Sequence, residues 1–323
     1  MAPIKKPVWW HSENSALLLM NSVSRSLADF ARQYPDGFPS LQNASALIIG
    51  SDFSGDHKDA PFESICLLLV DSASVGAWQN EREYLRMRYL SDGRRISYKG
   101  LNDRQKRSFL VPFLNSANFM NGLLLSIIID KKIKSFFEKK GTLNKNNPDL
   151  ENFKNWKISS IEKMLRTVHF ISLLLRGLSA PNQDVLWITD QDEIAANEIR
   201  LRQLVSAFAS VSSQYLPHEL RHLRIGTTFS DTGRRDIEDY VAIPDLVAGA
   251  MGALIPVIVE SGALSAPSIM VPAPLRLKSK VRTIIDWFSD NNSPLKRVVL
   301  IIDEGSTMEK CRISCVRFHG SND

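Results

Sequence analysis

Residues 46–70 read ALIIGSDFSGDHKDAPFESICLLLV, and this stretch decides the architecture. Ala46 to Gly50 is a short apolar run, SDFSGD at 51–56 is a polar turn, and Ser64 to Val70 is a second apolar run. Short apolar runs bounded by turn residues mark buried strands, so the segment predicts two strands joined by a polar loop, as in a hairpin. Upstream, Leu17, Leu18, Val23, Leu27, Phe30 and Ala31 fall near helical spacing within 13–34, and PDGFP at 35–39 stops that helix. Downstream, helix-forming residues fill 77–90, Arg95 to Lys99 is a brief strand, Asn102 caps a helix running toward Asn118, and Leu123 to Ile129 is a third strand.

The second half alternates. Leu150 to Leu178 reads as helix before the SAPNQD turn, Val185 to Thr189 as a strand ending at Asp190, and Glu193 to about Tyr215 as a long helix. Leu223 to Phe229 is another strand, and Ile243 to Val259 is an apolar helix with Pro244 suited to its first turn. A helix over 278–289 precedes Arg297 to Ile302, which pairs with Arg312 to Phe318 across DEGST. Antiparallel strands first and strand–helix repeats later predict an α/β protein with a mixed sheet flanked by helices. Three regions follow: an N-terminal helical extension over 1–44, a core over 45–265 with a basic and helical insertion at about 131–180, and a C-terminal helix plus β-hairpin over 266–323.

The composition of the 323 residues, 44% apolar and 23% charged, is that of a globular chain and excludes wholesale disorder. The apolar runs Leu123 to Ile129 and Ala248 to Val259 fall short of the roughly 20 residues a bilayer span needs, and Trp9, Trp10, His11 and Glu13 stand where a signal peptide would be apolar. The expectation is a cytoplasmic protein that does not engage a membrane. Cys66, Cys311 and Cys315 are too few and too odd for a disulfide framework. Cys311, Cys315 and His319 have a ligand-like spacing but lack a fourth partner, so alternation on a strand is the simpler account.

The net charge of +5 is unevenly placed: Arg82 to Lys145 holds 15 basic and 5 acidic residues, a net of +10, which leaves −5 for the remainder. Clustered Lys and Arg displace counterions from a phosphate backbone, so Lys131, Lys132, Lys134, Lys139 and Lys140 are candidates for a nucleic-acid face. A solvated helix face is the alternative.

Three carboxylates stand where the chain leaves or enters a regular element: Asp52 after the first strand, Asp190 after Thr189, and Asp245 in the first turn of the apolar helix. Carboxylate oxygens are the ligands that hard divalent cations prefer, and such ions activate water against a phosphodiester. Acidic residues at such positions are also ordinary turn and cap residues.

The order of elements carries a resemblance: SDFSGD after the first strand, an apolar second strand, RISYKGL before a helix, ITDQD after a late strand, and IPDLVAGAM in a late helix. This order resembles the ribonuclease-H-like superfamily and, more narrowly, the bacterial domain-of-unknown-function family numbered 3800, whose first strand ends in Asp-Glu-Ser-Gly. The likeness spans about residues 45–262. It implies a nuclease in which Asp52, Asp190 and Asp245 hold Mg2+ or Mn2+, with Asp192 or Glu193 able to replace Asp190, and Lys99 as a polar residue near the site. It also implies a fourth acid from an early helix, Glu81 or Glu83, and a setting in phage defence or mobile elements. Phe53 stands where the family has Glu, and Ala242 and Pro244 stand where it has Gln and Ala. A catalytically silent module that binds nucleic acid or a protein partner, in a larger complex or as a homo-oligomer, is the competing expectation.

Two rival signals remain. His218, Glu219 and His222 match a zinc-peptidase pattern, which needs one continuous helix to align both imidazoles, whereas Pro217 precedes it and a strand follows. Asp303 and Glu304 resemble the family's first-strand text, but about 20 residues follow them, too few for the rest of such a core.

Overall fold

The structure, a computed structural model, describes residues 7–13, 17–137, 143, 148–260, 268–270, 277–304 and 311–319. Its strands are β1 (Ala46–Ser54), β2 (Phe62–Asp71), β3 (Gly122–Asp130), β4 (Asp184–Thr189), β5 (His222–Thr227), β6 (Ser268–Met270), β7 (Leu295–Glu304) and β8 (Cys311–His319). They form one sheet in the order β5-β4-β1-β2-β3-β7-β8-β6. The β1–β2–β3 meander is antiparallel, β4 and β5 add in parallel on the β1 side, and β7 adds in parallel on the β3 side before β8 turns back antiparallel. The helices are α1 (Leu18–Gln33), α2 (Ser72–Tyr89), α3 (Arg104–Ala117), α4 (Ile158–Leu178), α5 (Glu198–Tyr215), α6 (Asp236–Glu260) and α7 (Ser279–Phe288). The mixed α/β sheet with an N-terminal helix, a helical insertion, and a C-terminal helix and hairpin is as the sequence predicts.

Strand alternation sorts the core into two layers. Leu47, Ile49, Ile65, Leu67, Leu69, Val185 and Trp187 point to one face, where α1, α4 and α5 cover them. Ile48, Cys66, Leu68, Val70 and Ile188 point to the other, against α2, α3, α6 and α7. Both faces being covered explains why β2 and β3 read as unbroken apolar runs rather than alternating ones.

Several local expectations change. Residues 95–99 form no strand: Ile96 alone is buried, and a single 3-10 turn starts at Lys99. Asp103, not Asn102, caps α3 by accepting from the Lys106 N–H at 3.0 Å. Helix α5 starts at Glu198 behind an Asn197 cap rather than at Glu193. The C-terminal hairpin extends the sheet through β3, so it is a continuation of that sheet and not an appendage.

Helix α6 begins at Asp236 with three acidic residues in its first turn, which places Pro244 inside the helix instead of at its start. It is long and apolar enough to cross a membrane, but 72% of its most apolar window is buried in the protein and it lies against β1 and β2. Gly50 permits that approach, since a Cβ there would sit 2.9 Å from the Tyr240 ring. The Tyr240 hydroxyl donates to the Ile48 carbonyl at 2.9 Å, which fixes the helix along β1.

Candidate functional site

Residues of even number on β1 and at the end of β4 face α6, so the alternation that buries Ile48 and Ile188 also turns Asp52 and Asp190 toward that helix. The parallel register sets Gly50 beside Ile188 and Ser51 beside Thr189, which brings Asp52 level with Asp190. Asp245, on the turn of α6 after Tyr240, completes the group. Asp52, Asp190 and Asp245 line one cavity of about 470 Å³, together with Arg95, Lys99, Lys106 and Glu238.

The three carboxylates differ in their surroundings. Asp52 lies opposite the buried thiol of Cys66 in the β1–β2 pair. Burial, followed by the charges of Asp245 and Asp190, pushes its carboxyl up to about 8. Asp245 is raised chiefly by burial and by Asp190, against the opposing pull of the Tyr98 N–H, Lys99 and Arg95. Its Oδ2 accepts from the Tyr98 N–H at 2.7 Å. Asp190 is the most accessible of the three: Oδ1 accepts from the Thr228 hydroxyl and from the Gln191 N–H, and Oδ2 stands 3.6 Å from Arg95.

One wall of the cavity is a non-helical segment, residues 95–98, clamped at three points. Tyr98 donates its backbone N–H to Asp245 and lays its ring flat on Gly249, where a Cβ would come within 2.2 Å of the ring. Its carbonyl accepts from Lys280 of α7 at 3.0 Å, and the same ammonium sits 4.2 Å above the ring. Gly249 is thus required by a close approach rather than by a turn.

Asp192 does not line the cavity. Its Oδ2 is 3.2 Å from Lys163, whose ammonium also stands 4.2 Å over the Phe53 ring and 3.5 Å from Glu193. Phe53 therefore seats a cation that the neighbouring acids hold. Glu81 and Glu83 are outside the cavity as well; the additional acids that line it are Asp56 and Glu238, the latter pairing with Arg95 at 3.3 Å. Arg95, Lys106 and Tyr98 are cavity residues that sequence reasoning missed, although the RISYKGL text that contains two of them is among the motifs of the resemblance and supplies Lys99.

The basic segment divides. Arg82 and Arg86 are buried, and both bind Asp239, with Arg82 Nη1 2.9 Å from Oδ2. They are structural and face no phosphate. Lys131, Lys132 and Lys134 follow β3 at the same end of the sheet as Asp52. Lys131 donates to the carbonyl of His57, a residue of the cavity wall, at 2.7 Å, and Lys132 stands 3.5 Å from Glu304. Lys139 and Lys140 lie outside the described residues.

The histidine motif has no helix beneath it. Residues 216–221 connect α5 to β5, His218 bonds the Ser179 hydroxyl at 3.0 Å, and His222 opens β5 beside Asp184 at 2.8 Å. The two imidazoles have separate partners, so the zinc-peptidase reading is not carried forward. Cys311 is exposed at the start of β8 and Cys315 buried further along it, so burial here follows position along the strand and not the expected alternation.

The donor chemistry of the cavity is of the kind a hard divalent cation prefers: its acids are carboxylates, and the mutual repulsion of Asp52, Asp190 and Asp245 is what such a cation relieves. The set is open, however: among the described residues no group of three or more His, Cys, Asp or Glu side chains is arranged so that it could hold a metal ion. No protein-family model matches this chain, and no curated protein does.

Proposed function

We propose that this chain is a divalent-cation-dependent nuclease of ribonuclease-H-like architecture, hydrolysing phosphodiester bonds of DNA or RNA. The observation that carries the reading is the meeting of Asp52, Asp190 and Asp245, brought from β1, β4 and α6, in one cavity rimmed by Arg95, Lys99 and Lys106. An antiparallel β1–β3 followed by two strand–helix repeats supports the resemblance seen in the order of sequence motifs.

Asp52, Asp190 and Asp245 are the residues that would hold Mg2+ or Mn2+. Bound there, the ion would lower the pKa of a water nucleophile and offset charge developing on the phosphate. The chain's own residues supply the remainder. Arg95, Lys99 and Lys106 attract and orient the phosphate backbone, which carries no base information by itself. The Thr228 hydroxyl and Gln191 N–H orient Asp190, and the Tyr98 N–H orients Asp245, so two of the three carboxylates have a fixed rotamer. Lys131, Lys132 and Lys134 extend the positive surface along the same end of the sheet. The context of phage defence or mobile elements follows from the resemblance alone.

A specific observation favours a second reading, a catalytically silent module: the open spacing of the carboxylates, with Phe53 and Lys163 where the family's acidic residue stands. The two readings separate with purified protein. Mn2+-dependent cleavage of labelled DNA or RNA that Asp52→Ala and Asp245→Ala each abolish supports the nuclease. Cleavage that survives both substitutions overturns the assignment of the site. Calorimetry that detects no Mg2+ or Mn2+ binding sensitive to Asp52→Asn supports the silent module.

A further inference from the structure

Phe229 is 80% exposed, the most exposed large apolar side chain among the described residues. It sits in the short 3-10 turn Thr228–Ser230 after β5, and the residue before it donates its hydroxyl to Asp190. The turn is braced from below: Asp231 accepts from the N–H groups of Gly233 at 2.9 Å, Arg235 at 3.0 Å and Ile237 at 3.0 Å. An aromatic ring is therefore held in solvent on a rigid support, one residue from a contact to a cavity carboxylate.

We infer that the cavity serves single-stranded nucleic acid, with Phe229 as a platform on which one base stacks while Arg95, Lys99 and Lys106 bind neighbouring phosphates. The inference rests on the reading of the cavity as a phosphodiester site. Base-on-aromatic stacking needs an unstacked base, which a single strand offers and a duplex withholds. The placement of Asp52 and Asp245 in a cavity points the same way: a flexible strand lowers a phosphate into a cavity, whereas a duplex keeps its phosphates on a convex surface. The residues that follow Phe229, namely Ser230, Asp231, Thr232, Gly233 and Arg234, are polar, charged or small, and the one acid among them is turned to the backbone N–H groups it accepts from. From Thr227 to Arg234 Phe229 is the one large apolar side chain, whereas the core of a protein interface is built from several. A lone aromatic beside cations is instead the pairing that single-strand binding uses.

The test is binding by the full chain in EDTA, so that cleavage plays no part, read by fluorescence anisotropy with labelled single-stranded and duplex oligonucleotides of both deoxy and ribo type. Phe229→Ala is expected to weaken single-strand binding about tenfold while changing duplex binding less than about twofold, and Phe229→Trp to restore the affinity. An oligonucleotide carrying 2-aminopurine adds a readout specific to stacking: its emission is quenched by the wild type and by Phe229→Trp, and not by Phe229→Ala. Equal single-strand affinity for wild type and Phe229→Ala, an equal loss for both substrates, or no binding to either overturns the inference. The two proposals fail separately. Phe229-dependent binding without Asp52-dependent cleavage removes the nuclease and leaves the platform, while Asp52-dependent cleavage with an indifferent Phe229 does the reverse.

Discussion

Replacing Asp52 by Asn tests the electrostatics of the cavity without cutting into its packing, because the two side chains have nearly the same shape. The Asp52 carboxyl is raised from 3.8 to about 8, first by burial and then by Asp245 and Asp190. Between those two pH values the folded chain holds a proton there that the unfolded chain has released. Stability therefore falls as pH rises through this window, and the loss is complete above the folded value. At 1.36 kcal/mol per unit, the full span comes to roughly 6 kcal/mol, and water entering the cavity reduces this toward about 2 kcal/mol. Urea denaturation in EDTA is expected to show Asp52→Asn equal to wild type near pH 4 and more stable by roughly 2–5 kcal/mol at pH 8. Adding Mn2+ at pH 8 is expected to close the gap, since saturation at about 100 times Kd is worth roughly 2.7 kcal/mol to wild type. Parallel stability curves for the two proteins from pH 4 to pH 8 would show that Asp52 is not a buried, crowded acid, and the reasoning about the site would fail with it.

Three further outcomes follow from the packing. Asp239→Ala strips both Arg82 and Arg86 of a buried partner and is expected to cost about 3–5 kcal/mol in urea denaturation, whereas a cost under about 1 kcal/mol would mean that water reaches the arginines. Gly249→Ala puts a methyl group into the Tyr98 ring and is expected to cost about 1–3 kcal/mol and to lower cleavage by unseating the N–H on Asp245; unchanged denaturation and cleavage would refute the clamp. His169 is held at about 4 by burial, so stability is expected to fall as pH drops from 6.5 toward 4, by roughly 3 kcal/mol in all. His169→Phe should flatten that acid limb, and an unchanged limb in the variant would place the titration elsewhere.

The layered sheet was legible because its signals are local. The apolar runs at 46–50, 64–70 and 123–129 are strands for the reason read from them, but β1 continues to Ser54, so most of SDFSGD is strand, Asp52 lies within β1 rather than after it, and the chain turns only from Gly55. What failed required a partner distant in sequence. Arg95 to Lys99 alternates as a strand does, but no neighbouring strand is available, and the segment docks on Asp245 and Gly249 instead. Charge counting read Arg82 and Arg86 as a basic face, although their counter-ion Asp239 lies more than 150 residues away. The parallel placement of β7 on β3 is non-local for the same reason.

Asp245 shows how a right residue can be reached by a wrong route. Pro244 suggested a helix start, and acids gather at helix starts, so the sequence placed Asp245 there. The acidic run at Asp236, Glu238 and Asp239 is the true start, because carboxylates favour the positive end of the helix dipole. Asp245 therefore lies well inside α6, too far along the helix for the free N–H groups of the first turn to hold it. Its Oδ2 takes the N–H of Tyr98 from a different part of the chain, and this bond opposes the burial that raises its pKa. An acid kept in the middle of an apolar helix, where it caps nothing and is half-buried among crowding carboxylates, is costly to fold around. A cation drawn in by Asp52, Asp190 and Asp245 together would offset that cost, which is the physical reason for reading the three as one site.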